Sequence, residues 1–107
     1  MSNIITVDDK QFEAEVTRSE KPVLALFKSE WCPSCKRLTP VVEKVSDGYK
    51  DSIKFALIDI VSNAKTTVDN NVLAIPTLIL FKGGKEAERL TGYIPEADLK
   101  AFLDKNI

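Results

Sequence analysis

Cys32 and Cys35 are the two cysteines of a 107-residue chain that contains no histidine, and they stand in the run Trp31-Cys32-Pro33-Ser34-Cys35-Lys36. Two sulfurs separated by two residues at a helix start can close into a disulfide or be held apart as dithiols, which is the layout of a redox pair. Cys32, just ahead of the first turn, is expected to be the nucleophile. Unpaired backbone N–H groups and the positive end of the helix dipole both favour its thiolate over its thiol. Cys35, one turn inward, is then the resolving thiol. The Cys32 thiolate would attack a substrate disulfide to give a mixed disulfide. Cys35 would attack that bond, releasing reduced substrate and leaving Cys32 and Cys35 oxidised.

Other uses of two cysteines fit less well. A zinc site normally takes four ligands, and with two thiols and no histidine one chain would have to complete the shell with carboxylates, so no metal site is expected. A purely structural disulfide across two intervening residues would constrain the unfolded chain far less than a long-loop bridge. A metal or iron–sulfur site shared between two subunits stays open on the residues alone.

The pair has to be positioned by the elements around it. Val23-Leu24-Ala25-Leu26-Phe27, after Pro22, is a short continuous apolar run, right for a central strand buried on both faces. From Cys35 onward Leu38, Val41, Val42, Val45 and Tyr49 form one stripe of an amphipathic helix that Pro40 should kink, with Gly48 near its end. Ile53 to Ile60 reads as a second buried strand, and Ser62 to Asn71 as a polar connection with one short helix. Thr77 to Phe81 is a further strand, turned back by Lys82-Gly83-Gly84-Lys85 into an antiparallel strand around Glu86 to Thr91. Leu99, Phe102, Leu103 and Ile107 lie on one face of a final helix opened by Pro95, Glu96 and Asp98. At the other end Ile4 to Thr6 suits an edge strand, and Phe12 and Val16 sit one helical turn apart after Asp8 and Asp9, which can cap. The alternation predicts an α/β sandwich with parallel crossovers followed by an antiparallel hairpin, as one domain over 1–107.

With these elements in place, the chain resembles the thioredoxin family over essentially its whole length. The residues that carry the resemblance are Trp31-Cys32-x-x-Cys35-Lys36, Pro40 at the helix kink, Ile75-Pro76-Thr77, Phe81-Lys82-x-Gly84 and Gly92. The resemblance implies a thioredoxin fold, with a central five-stranded mixed sheet flanked by four helices and a cis bond before Pro76. It also implies a protein-disulfide reductase that a thioredoxin reductase regenerates, with no bound cofactor beyond the redox-active disulfide Cys32-Cys35. Trp31, Pro33, Ser34 and Pro76 would support the site. Trp31, Ala74, Ile75, Pro76, Gly92 and Tyr93 would line the groove where an extended substrate segment docks. Plainer readings stand beside these: Pro76 could merely begin a strand, Ala74 and Tyr93 could pack locally, and Lys36 and Lys82 read as solvated charges.

The chain also departs from the family's pattern. Leu26 and Leu57 occupy the places of a buried aspartate and the lysine that approaches it. Losing one charge makes the other costly to keep, whereas two leucines can pack, so no stability loss is expected. The aspartate is the family's proposed proton acceptor for the resolving cysteine. Water or a carboxylate brought near by folding must replace it, with Glu30 and Asp59 the local candidates. Pro33-Ser34 replaces the usual Gly-Pro. A hydrogen bond from Ser34 to the Cys32 thiolate would make the pair more oxidising, while apolar surroundings would disfavour the thiolate, and the sequence leaves the balance undecided.

The remaining composition narrows the partners. Fifteen Lys and Arg against sixteen Asp and Glu give a formal charge of -1, with no basic excess for nucleic acid. No apolar run approaches a bilayer span, and Asp8 and Asp9 stand where a leader would be basic and then apolar, so a cytoplasmic monomer without membrane contact is expected. Two alternatives to the reductase remain. One is a more oxidising disulfide isomerase or glutaredoxin-like enzyme, and the other a non-catalytic binding module on the same fold.

Overall fold

Apolar strands buried on both faces need cover above and below, and the chain supplies it in the order the sequence suggests. A computed structural model describes residues 3–107. Met1 and Ser2, which open both the stretch read against a leader and the expected domain, lie outside the described residues. Among the described residues there are five strands, β1 (Ile4–Thr6), β2 (Val23–Lys28), β3 (Lys54–Asp59), β4 (Thr77–Lys82) and β5 (Lys85–Thr91). Four helices accompany them: a single π turn (Glu13–Thr17), α1 (Pro33–Tyr49), α2 (Ala64–Asp69) and α3 (Glu96–Asn106).

The sheet order is β1-β3-β2-β4-β5, which makes the most apolar strand, β2, the middle one. β1 and β2 run parallel to β3, β4 is antiparallel to β2, and β5 is antiparallel to β4. Alternation along β2 divides the core. Leu24 and Leu26 pack with Leu38, Val42 and Val45 of α1 and Leu99 and Leu103 of α3. Val23, Ala25 and Phe27 face the opposite layer with Val7, Val16, Ile58 and Phe81, where Phe12 meets Phe81 edge-on at 5.7 Å. Ile107, expected on the buried stripe of α3, instead lies about half exposed, at 47%, because α3 ends at Asn106. Lys82 is also not simply solvated, since its Nζ donates to the Asn106 carbonyl and ties the end of β4 to α3.

The two early aspartates have separate duties. Asp8 caps the entry to the π turn, its carboxylate accepting from the Gln11 N–H at 2.9 Å. Asp9 reaches 57 residues ahead to α2, accepting from the Thr66 N–H at 2.9 Å and the Thr66 hydroxyl at 2.6 Å. Asn63, the residue before α2, makes no side-chain cap, so Asp9 serves in its place. Those bonds hold the Asp9 carboxyl below its usual range.

At the β4–β5 turn both glycines have positive φ, 60° at Gly83 and 79° at Gly84. A Cβ on Gly84 would stand 2.3 Å from the Thr17 carbonyl oxygen, a backbone atom that cannot step aside, whereas one on Gly83 would meet nothing within 4 Å. Gly84→Ala is therefore expected to cost about 3 kcal/mol, the left-handed penalty plus the clash, and Gly83→Ala about 1 kcal/mol. Urea unfolding of the two variants checks the difference, and equal losses would show that the close approach to Thr17 is of no account.

Candidate functional site

β2 ends at Lys28, and the short link Ser29-Glu30-Trp31 delivers Cys32 to the mouth of α1. Cys32 is the N-cap, with extended backbone (φ -94°, ψ 111°), and Pro33 fills the first helical position, where a missing N–H does no harm. The Cys35 N–H donates to Cys32 Sγ at 3.1 Å, so the sulfur takes the capping place usually held by a Ser or Asp oxygen. A thiolate accepts that bond better than a thiol. Ser34, expected to donate to the same sulfur, lies half-buried in the first turn and makes no hydrogen bond to Cys32 among the described residues. The main-chain donor of Cys35 occupies that role.

The two thiols are close, free and unequally exposed. Cys32 is half-buried, whereas Cys35 is 1% exposed. Burial pushes the Cys35 thiol up to about 11, with further upward pushes from its hydrogen bond to Cys32 and the Cys32 charge. A main-chain hydrogen bond from Ser29 and the positive charge of Lys28 act against that rise. Cys35 is accordingly a neutral thiol at pH 7, and its nucleophilic form grows as pH rises.

The loops before β4 and after β5 complete the surface. The Ile75–Pro76 peptide is cis, and the Ile75 carbonyl oxygen lies 3.9 Å from Cys32 Sγ. Thr77 Oγ1 holds this loop by donating to the Ala74 carbonyl at 2.6 Å, and the Gly92 N–H donates to the Pro76 carbonyl at 2.8 Å. Tyr93, the next residue, lies under the Arg37 guanidinium, 4.4 Å from the ring centre, which joins this corner to α1. Ala74 is exposed, Ile75 and Gly92 half-buried and Pro76 buried, while Trp31 is 84% exposed directly beside Cys32. Leu73, which the sequence reading passed over, is 95% exposed one residue before Ala74. The run Val72-Leu73-Ala74-Ile75 is apolar but too short to show a period, so nothing in it marked Leu73 as exposed.

On the face of β2 that α1 covers, Leu26 is fully buried and stands in register with Leu57, so the two leucines are cross-strand neighbours. Cys35 also lines a cavity of about 480 Å³ with Lys28, Ser29, Glu30, Trp31 and Lys36. Of the two carboxylates considered as proton acceptors, Glu30 lines this cavity and Asp59 does not. Asp59 instead accepts from the Val61 and Ser62 N–H groups at 2.8 and 3.2 Å.

The combination of a sheet ordered in this way, a reduced cysteine pair at a helix mouth and a cis-proline loop against the outer sulfur is the architecture of a thioredoxin domain. The Thioredoxin family model matches residues 3–105. Similar proteins include the thioredoxin of Acidithiobacillus ferridurans, 40% identical over 97% of this chain and 96% of that protein. Thioredoxin C-2 of Corynebacterium nephridii is 37% identical over 99% and 98%, and the thioredoxin of Pseudomonas aeruginosa 37% over 98% and 97%. The chain belongs to the thioredoxin family, and that membership implies a thiol–disulfide oxidoreductase. No helix among the described residues is long and apolar enough to cross a membrane.

Proposed function

We propose that the chain, as one domain over 1–107, is a protein-disulfide reductase in which Cys32 attacks the substrate disulfide and Cys35 resolves the mixed disulfide. The observation that carries this reading is the Cys35 N–H to Cys32 Sγ hydrogen bond at 3.1 Å, with the second thiol recessed behind the first. An incoming disulfide meets Cys32, and Cys35 reaches the new bond only from within. Trp31, Ala74, Ile75, Pro76, Gly92 and Tyr93 receive the extended substrate segment around Cys32, with Pro33 and Ser34 shaping the helix mouth. Electrons reach the oxidised Cys32-Cys35 disulfide from a thioredoxin reductase, and no other cofactor takes part. A cytoplasmic monomer serving cell redox homeostasis fits this chemistry.

Replacing Cys35 by serine tests the assignment. The first attack then proceeds and the second cannot, so disulfide-linked adducts to substrate proteins should accumulate through Cys32 and be released by dithiothreitol. Adducts that accumulate equally well in Cys32→Ser, with Cys35 kept, would overturn the assigned roles.

A further inference from the structure

The resolving step raises a difficulty that the fold itself answers: Cys35 must ionise while buried, and Leu26, not an acid, is the fully buried residue on the face of β2 that α1 covers. The charged and titratable groups around its cavity come from three places. Lys28 stands at the end of β2, Glu30 on the link and Lys36 in the first turn of α1, while Cys32, the N-cap, faces Cys35 through its hydrogen bond but does not line the cavity. Asp59 of β3 is in register with Lys28, but its carboxylate faces the Val61 and Ser62 N–H groups. Lys36 is exposed, whereas Lys28 is half-buried. Alternation along β2 also sets Lys28 on the same face as Leu24 and Leu26, the face that α1 covers. Among the described residues Lys28 forms no ion pair, and no carboxylate lies within salt-bridge distance of it.

We propose that Lys28 is a positioning residue for the resolving step, the fixed positive charge that stabilises the Cys35 thiolate in a site that has no buried acid. The proposal rests on the disulfide-exchange reading above. Cys35 gives its proton to water entering the open cavity, and the ammonium of Lys28 favours the resulting thiolate. That thiolate attacks Cys32 Sγ. The Cys35–Cys32 bond forms as the bond between Cys32 Sγ and the substrate sulfur breaks, and the substrate sulfur leaves with the electron pair and takes a proton from solvent. The dithiol loses two electrons and the substrate disulfide gains them. Electrostatic support of this kind changes the equilibrium for ionisation without requiring Lys28 to accept a proton, which a cation could not do.

Two measurements on the full chain test it, with Lys28→Met removing the charge and Lys28→Arg keeping it. The first is single-turnover reduction of a disulfide-linked fluorogenic peptide with acid quenching, which separates mixed-disulfide formation from its resolution. Lys28→Met should slow resolution relative to attack by about threefold to tenfold at pH 7, with the deficit shrinking at high pH, and Lys28→Arg should restore it. The second is the pH dependence of Cys35 alkylation by iodoacetamide in a Cys32→Ser background, where the midpoint should move upward in Lys28→Met and return in Lys28→Arg. Lys28 would have no such role if attack and resolution fell in parallel, if Arg and Met behaved alike, or if the alkylation midpoint stayed in place. A wild-type chain that formed no mixed disulfide would overturn the disulfide-exchange reading, and the alkylation midpoint would still decide on its own whether the charge of Lys28 acts on Cys35.

Discussion

Replacing Cys32 by serine should reduce protein-disulfide turnover by at least about 10³-fold, to the level that dithiothreitol sustains unaided. A serine hydroxyl has no appreciable alkoxide at neutral pH, so the capping bond from the Cys35 N–H would still form but would no longer serve a nucleophile. Cys35 cannot take over, because it is 1% exposed, and its burial, the largest cause of its raised pKa, remains when Cys32 is replaced. The measurement is insulin or peptide-disulfide reduction with dithiothreitol as electron source. Retention of substantial turnover by the Cys32 variant would mean that the buried sulfur reaches substrate directly, contrary to the geometry described. The pair of serine variants should therefore differ in kind: one never forms a covalent adduct, and the other forms it and stalls.

The second large effect is on stability. Leu26→Asp should cost about 3–5 kcal/mol at pH 7, because the new carboxylate would sit in the fully buried cluster of Leu24, Leu38, Val42 and Leu78 without a partner. The sign of its pH dependence follows from burial. The buried carboxyl has a folded-state pKa raised above its unfolded value of about 3.9, so the loss is small below that value and grows as pH rises toward the folded pKa. Urea unfolding at pH 4 and pH 7 should show the larger deficit at pH 7. Adding Leu57→Lys, in register across the strand pair, should recover part of it and give a non-zero coupling in a double-mutant cycle. Equal deficits at the two pH values would mean that the variant merely disturbs packing. The same Leu26→Asp chain also tests the resolving step, since a restored acid that leaves the resolution pH profile unchanged would have no part in proton transfer.

Much of this arrangement was legible in local sequence. Five apolar residues after Pro22 placed β2 in the centre, the Gly83-Gly84 turn set the β4–β5 hairpin, and the cysteine spacing put one sulfur outside α1 and the other one turn within it. What stayed hidden depended on contacts far apart in the chain. Nothing near Asp9 says that it caps α2 across 57 residues, because a cap supplied from another segment leaves no local motif. Lys28 looked like the polar end of an apolar run, although the period of two that puts Leu24 and Leu26 against α1 extends to it. Ser34 had the right chemistry to donate to Cys32, but the observed donor to that sulfur is the main-chain N–H of Cys35, whose place is set by the helix backbone and not by residue type. The groove residues other than Cys32 came from the family resemblance, since three separated loops converge there and none advertises the others.

Trp31 is the chain's single tryptophan, and it stands 84% exposed beside the reactive sulfur. Indole emission from this protein consequently originates almost at the point of exchange and hardly senses the interior. Unfolding would change the solvent around that ring very little, so variants such as Gly84→Ala and Leu26→Asp have to be followed by the circular dichroism of the backbone. The intrinsic fluorescence is left free as an optical reporter of what arrives at Cys32.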